Sequence, residues 1–119
     1  MERSILLVDD EPAVLGFLAT VFQRDGWEVM QALTAEDGLA MWDVREPDAV
    51  VLDLHLPGLS GMRALEILVA RGAGVVVHTG DADVGTAVEA MREGAYTYLT
   101  KPVAPQELRV AVEGAAARA

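Results

Sequence analysis

Residues 49–58 read AVVLDLHLPG, four aliphatic residues that run straight into a carboxylate and then into a Pro-Gly pair. A short, continuous Val/Leu-rich run closed by a turn signal suits a strand covered on both faces, the kind found in parallel sheets. Asp53 cannot lie deep inside such a strand, because an unpaired buried carboxylate costs several kcal/mol. It must stand at the strand end, where it either caps the chain or does chemistry.

Working outward, three more runs share this character: ILLV at 5–8, VVV at 75–77 and YTYL at 96–99. A fifth, WEVMQA at 27–32, alternates polar and apolar residues and reads as an edge strand. Helical punctuation fills the gaps. Pro12 suits a first helical turn, followed by Val14, Leu18, Val21 and Phe22 at helical spacing until Gly26. Thr34 with Asp37 reads as a capping box for a helix carrying Leu39 and Trp42. Met62, Leu65, Leu68 and Val69 mark a third helix, and Val84, Val88 and Met91 a fourth that ends at Gly94. Leu108, Ala111 and Val112 mark a fifth after Pro105. Strand then helix, five times over, is the pattern of an α/β open parallel sheet with helices on both faces.

Composition narrows the function classes. A chain of 119 residues, 52% hydrophobic and 24% charged, is one compact domain rather than a disordered segment. A net charge of -10 argues against direct nucleic-acid binding, which needs a basic surface to neutralise phosphates. Cysteine is absent, so disulfides and thiolate metal sites are excluded. The longest apolar stretch, AVLGFLATVF at 13–22, is too short to span a bilayer, and the N-terminus lacks a secretory signal. The cytoplasm is the expected location, with no membrane partner.

In open α/β sheets, function gathers outside the carboxyl ends of the strands. Asp9, Asp10 and Glu11 follow the first run, Asp53 the third, Thr79 the fourth, and Thr100 and Lys101 the fifth. Lys101 is the only lysine among nine basic residues. It reads either as a point charge for carboxylates or phosphoryl oxygens, or as a structural salt bridge. Carboxylates crowded together repel unless a cation joins them, so Asp10 and Asp53 look like ligands for a hard divalent ion. Mg²⁺ fits, since it takes one or two carboxylates with waters and phosphate oxygens. A metal, a carboxylate, a hydroxyl and a lysine together suggest phosphoryl transfer, with Asp53 attacking to form an aspartyl phosphate.

The stretches ILLVDDE, VVLDLHLPGLSGM, HTG and YLTKP, in this order and spacing, resemble the receiver domain of bacterial two-component response regulators from about Ser4 to the C-terminus. The resemblance implies a flavodoxin-like (βα)5 fold, a doubly wound five-stranded parallel sheet of strand order 2-1-3-4-5. It also implies a single receiver domain over residues 1–119, with no output domain within them. By position, Asp53 is the expected phosphoacceptor, Asp10 a direct Mg²⁺ ligand and Asp9 a ligand through water, with the backbone carbonyl of His55 completing the protein ligands. Thr79 and Lys101 are expected to hold phosphoryl oxygens. Tyr98 matches the switch aromatic that turns inward as Thr79 moves, and the Lys101–Pro102 bond is expected to be cis. Two features depart from the commonest pattern. Gly80 follows Thr79 where Ala is frequent, and His55 and Asp81 occupy positions that line the path of attacking water.

The partners implied are a sensor histidine kinase or phosphotransfer protein as donor and a downstream effector domain or protein. A phosphorylation-dependent homodimer is also implied, through the face built from residues 84–115 with Arg92, Tyr98 and Arg109. Such a switch is not an enzyme on other molecules, since it catalyses only its own phosphorylation and dephosphorylation.

Plainer roles stand beside these. Asp9 and Asp10 also read as N-caps of the first helix, and Glu11 as first-turn charge. His78 reads as a packed, hydrogen-bonded core residue, His55 as a surface loop residue, and Trp27 and Trp42 as packing. Two other functions compete. A degenerate receiver-like interaction module would have lost an acidic residue, the threonine or the lysine, all of which are present. A Mg²⁺-dependent aspartyl-phosphate phosphatase generally carries a second Asp two residues after the nucleophile, where this chain has His55.

Overall fold

The computed structural model describes residues 2–118. Strands and helices alternate as β1 Ser4–Val8, α1 Pro12–Arg24, β2 Glu28–Ala32, α2 Ala35–Arg45, β3 Ala49–Leu52, α3 Gly61–Ala70, β4 Val75–Thr79, α4 Val84–Arg92, β5 Thr97–Thr100 and α5 Pro105–Ala117. All five strands are parallel in one sheet, in the order β2-β1-β3-β4-β5, as the resemblance implied. Chain order reverses between β1 and β3, which opens a crevice at their carboxyl ends.

Strand alternation sorts the core into two layers. Leu6, Val8, Val50, Leu52, Val75 and Val77 face α2 and α3, against Trp42, Leu65 and Leu68. Ile5, Leu7, Ala49, Val51 and Val76 face α1 and α5, against Leu15, Leu18, Phe22, Leu108 and Val112. Burying each such side chain is worth roughly 1.5–3 kcal/mol, so the central strands form the stable frame. β2, the edge strand, is half-buried over most of its length.

Several sequence expectations shift. β4 runs on through His78 and Thr79, because β5 gives both a register partner, Leu99 and Thr100. β5 starts one residue later than the run YTYL, and β1 one earlier, at Ser4. Neither Asp9 nor Asp10 caps α1. The N-cap is Glu11, without a side-chain hydrogen bond, and Pro12 supplies the first turn. Thr34 does cap α2, its Oγ accepting from the Asp37 amide at 3.1 Å, and Ser60 and Asp83 cap α3 and α4 in the same way.

The largest correction is α4. Val84, Val88 and Met91, whose spacing marks the helix, are all exposed, and Ala90 is its buried residue. The helix approaches the sheet through small side chains, leaving the larger ones in solvent.

At the amino ends of the strands, Arg3 lies 4.0 Å above the Trp27 ring and pairs with Glu113 of α5. Arg45 pairs with Glu28, and the Ser4 amide donates to Asp48 Oδ2 at 2.8 Å. Trp27 packs as expected, edge-on to Phe22. Among the described residues no helix is long and apolar enough to cross a membrane.

Candidate functional site

Asp9 and Asp53 each follow the last residue of a central strand, β1 and β3, which are registered as Val8 against Leu52. Both side chains continue the alternation of Leu7 and Val51 and so share the α1/α5 face of the sheet. They are 2% and 4% exposed, a degree of burial that carboxylates tolerate only with partners. Lys101, directly after β5, supplies one. Its Nζ donates to Asp9 Oδ2 at 2.8 Å and Asp53 Oδ2 at 3.2 Å, with Glu11 Oε1 at 3.6 Å.

The remaining oxygens are also engaged. Asp9 Oδ1 accepts from the Glu11 amide at 2.9 Å, and Asp53 Oδ1 from the His55 amide at 3.1 Å. Burial by itself pulls the Lys101 pKa down, but the Asp9 hydrogen bond and the Asp53 charge outweigh it and hold the ammonium above its ordinary value. The Lys101–Pro102 bond is cis, as expected.

Asp9, Asp10, Glu11 and Asp53 each bring a carboxylate oxygen within 4.8 Å of the others. This all-oxygen set suits a hard divalent cation, and one lysine does not balance four carboxylates. Asp10 and Glu11 are exposed, which leaves the cluster open on one side. Glu11, which the sequence reads as first-turn charge rather than as a ligand, is the N-cap residue of α1 and lies within this cluster.

The loop after Asp53 is held by a close backbone approach. The Gly61 amide donates to the Leu54 carbonyl at 3.1 Å, and a Cβ on Gly61 would meet Leu54 Cα at 2.3 Å. Only glycine lets α3 begin so near the acidic residues.

Thr79 is fully buried at the end of β4, and its Oγ accepts from the Asp81 amide at 3.3 Å. Asp81 is a hub that its sequence position two residues after Thr79 hardly signals. Its carboxylate meets His55 Nε2 at 3.2 Å and accepts from the Asp83 amide at 2.8 Å, while its carbonyl accepts from the Tyr98 hydroxyl at 2.6 Å. The Asp83 amide bond, then the His55 contact, lower the Asp81 pKa. Tyr98 is half-buried, and desolvation raises its pKa. The structure thus joins Thr79, Tyr98, His55 and Asp81 in one network, and His55 is exposed as expected of a loop residue.

Two other expectations change. His78 is packed and buried, but its Nδ1 has no hydrogen-bond partner among the described residues. Arg109 is drawn away from the α4 side, its Nε 2.7 Å from Asp25 Oδ2 at the end of α1.

The family model described as "Response regulator receiver domain" matches residues 5–113. The nitrogen assimilation regulatory protein NtrX of Azorhizobium caulinodans is 34% identical over 97% of this chain and 26% of its own length. The chain spans 24% to 59% of the length of curated relatives of this kind. A response regulator receiver domain protein from Clostridium thermocellum superposes with a TM-score of 0.90 at 35% identity, covering 98% of this chain and 95% of that one. A response regulator protein from Burkholderia pseudomallei, solved with a phosphorylated aspartic acid, calcium ion and citrate, gives a TM-score of 0.88 at 30% identity, covering 98% and 69%.

Proposed function

The chain belongs to the response regulator receiver domain family, and from that premise we propose that Asp53 is the phosphoacceptor of a two-component signalling switch. The observation that carries this reading is the Asp53 carboxylate itself, buried at the end of β3, bonded to Lys101 and joined to the open acidic cluster. The donor is the phosphohistidine of a sensor kinase or phosphotransfer protein. An Asp53 oxygen attacks phosphorus, the P–N bond breaks, and the imidazole leaves with its electron pair.

Bound Mg²⁺ would neutralise the phosphoryl oxygens, held by Asp9, Asp10, Asp53 and the His55 carbonyl. Lys101 gives one of its contacts to a phosphoryl oxygen, replacing part of its pairing with Asp53. The Thr79 hydroxyl, free to donate while its oxygen accepts from the Asp81 amide, turns to donate to another oxygen and shifts that amide contact as it turns. That movement reaches Tyr98 through the Asp81 carbonyl, and so the face of α4, β5 and α5. Phosphorylation need only shift a pre-existing equilibrium by a few kcal/mol to change partner preference there.

We read the chain as one receiver module that works in the cytoplasm with an effector domain or protein and dimerises when phosphorylated. It catalyses only its own phosphorylation and dephosphorylation and does not itself bind nucleic acid. Incubation with acetyl phosphate and Mg²⁺ is expected to give a hydroxylamine-labile acyl phosphate that Asp53→Asn does not form. A label that persists in Asp53→Asn overturns the assignment.

A further inference from the structure

The stretch LPGL at 56–59, on the way from Asp53 to α3, has the Pro-Gly signature of a type II turn, and Gly58 has the positive φ, 75°, that its third position requires. Such a turn commonly closes when the amide of its last residue donates back to the carbonyl of its first. Here the Leu59 amide donates instead to Glu36 Oε2 on α2, at 3.3 Å. The same oxygen lies 2.9 Å from where a Cβ on Gly58 would stand, so the carboxylate is seated in the notch that the glycine leaves. Glu36 comes from a firm support. It belongs to the first turn of α2, which Thr34 caps, and Gly38 sits so close to β1 that a Cβ there would meet Val8 Cγ2 at 2.9 Å. Leu56 and Leu59 are half-buried against the core layer on the same side. The turn is therefore held by packing and by a hydrogen bond from another element, not by a bond of its own.

We propose that Glu36 is a positioning residue for the Asp53 site: its carboxylate fixes the turn at 56–59 and, through it, the backbone of His55, whose carbonyl is a metal ligand on the phosphoacceptor reading, on which this role rests. The rest of the loop is tied down locally. The His55 amide donates to Asp53 Oδ1 at 3.1 Å, and the Gly61 amide to the Leu54 carbonyl at 3.1 Å. Between those ties, residues 56–59 take their place from a contact outside the loop, and the His55 carbonyl belongs to the peptide that opens this span. A metal ligand holds its orientation only as well as the groups behind it do. A carboxylate also holds an amide more strongly than a neutral carbonyl does. The charge of Glu36 is a separate influence, because any anion close to the site attracts a divalent cation. Glutamine separates the two, since it keeps an acceptor oxygen and removes the charge.

The test measures Mg²⁺ affinity by calorimetry and, in Mg²⁺-free buffer, solvent exchange of the Leu59 amide by NMR. Both are read in the whole chain and in Glu36→Ala, Glu36→Gln and Asp37→Asn, the last removing an exposed charge from the same helical turn. In Glu36→Ala the Leu59 amide is expected to exchange about fivefold faster and the Mg²⁺ Kd to rise about fivefold, the loss of one modest hydrogen bond. The amides of Val51 and Val76 should keep their protection, which separates the effect from global destabilisation. Glu36→Gln and Asp37→Asn should stay within about twofold of the unaltered protein on both readouts, since an exposed charge is screened. The role of Glu36 is overturned if Glu36→Ala leaves either readout unchanged, or if Glu36→Gln loses as much Mg²⁺ affinity as Glu36→Ala, which assigns the effect to charge. Each of those results leaves the phosphoacceptor reading standing. An unaltered protein that binds no Mg²⁺ overturns that reading and the role of Glu36 together.

Discussion

At the amino ends of the strands Arg3 faces Glu113 and Arg45 faces Glu28, one cation to one anion, each pair about half exposed. At the carboxyl ends Asp9 and Asp53 are buried and share Lys101 with Glu11, and Asp10 stands beside them. The same sheet therefore has one end where charge is balanced and solvated, and another where negative charge is in excess and desolvated. Exposed pairs of the first kind contribute little to stability. The second arrangement concentrates desolvated negative charge around a single ammonium, and it is the end at which the proposed cation and phosphoryl group would be received.

The contrast can be broken most directly at Lys101. Lys101→Met leaves two buried carboxylates without their cation, and in Mg²⁺-free buffer it should destabilise the domain by about 3 kcal/mol, lowering Tm by roughly 10 °C. The alkaline limb sharpens the same point. Because the folded-state pKa of Lys101 is raised above 10.5, its contribution is present below that pH and is lost as pH rises through the folded value. Melts above pH 10.5 should fall more steeply for the unaltered protein than for Lys101→Met.

Next in size is the response to metal. At a Mg²⁺ concentration 100 times Kd, stability should rise by about 2.7 kcal/mol, and Asp10→Asn should lose most of that gain in thermal melts. A rise that is unchanged in Asp10→Asn would place the cation elsewhere.

His78 gives a pH signature beside the same rim. Burial lowers its folded-state pKa below 6.5, so its neutral form contributes fully above 6.5, and stability is lost as pH falls below that value. Lys101, Asp9 and Asp53 are the charges that act on it. His78→Leu should flatten the Mg²⁺-free stability curve just below pH 6.5.

The smallest effect belongs to the amino end. Glu113→Gln should change stability by less than about 1 kcal/mol, and by less still at high salt, when measured by urea titration. A loss as large as that of Lys101→Met would erase the distinction between the two ends.

Much of the working end was legible in the chain. The runs ILLV, AVVL and VVV announced buried parallel strands, and Asp9, Asp53 and Lys101 follow their strands directly, as read. Apolarity puts Thr79 just after a strand, whereas it is the strand's last residue, because β5 supplies a register partner that apolarity cannot reveal. The α4 stripe misled for a related reason. Val84, Val88 and Met91 recur at helical spacing, but periodicity reports that a stripe exists and not what covers it. Ala90, lacking bulk, allowed the close approach and took the buried place.

By itself, the sequence determined the alternation of strands and helices, the caps at Thr34 and the order of the acidic, hydroxyl and lysine positions, because these follow from local periodicity and side-chain chemistry. Only the tertiary structure decided that Asp9 and Asp53 share one ammonium, that Glu11 joins the acidic cluster, and that Asp81 links Thr79 to Tyr98. It also decided that His78 is buried beside a pocket, its Nδ1 without a partner among the described residues. Apart from the Asp81–Thr79 turn, those are contacts between segments far apart in the chain. Their distances depend on strand register and helix docking, which no local pattern of residues encodes.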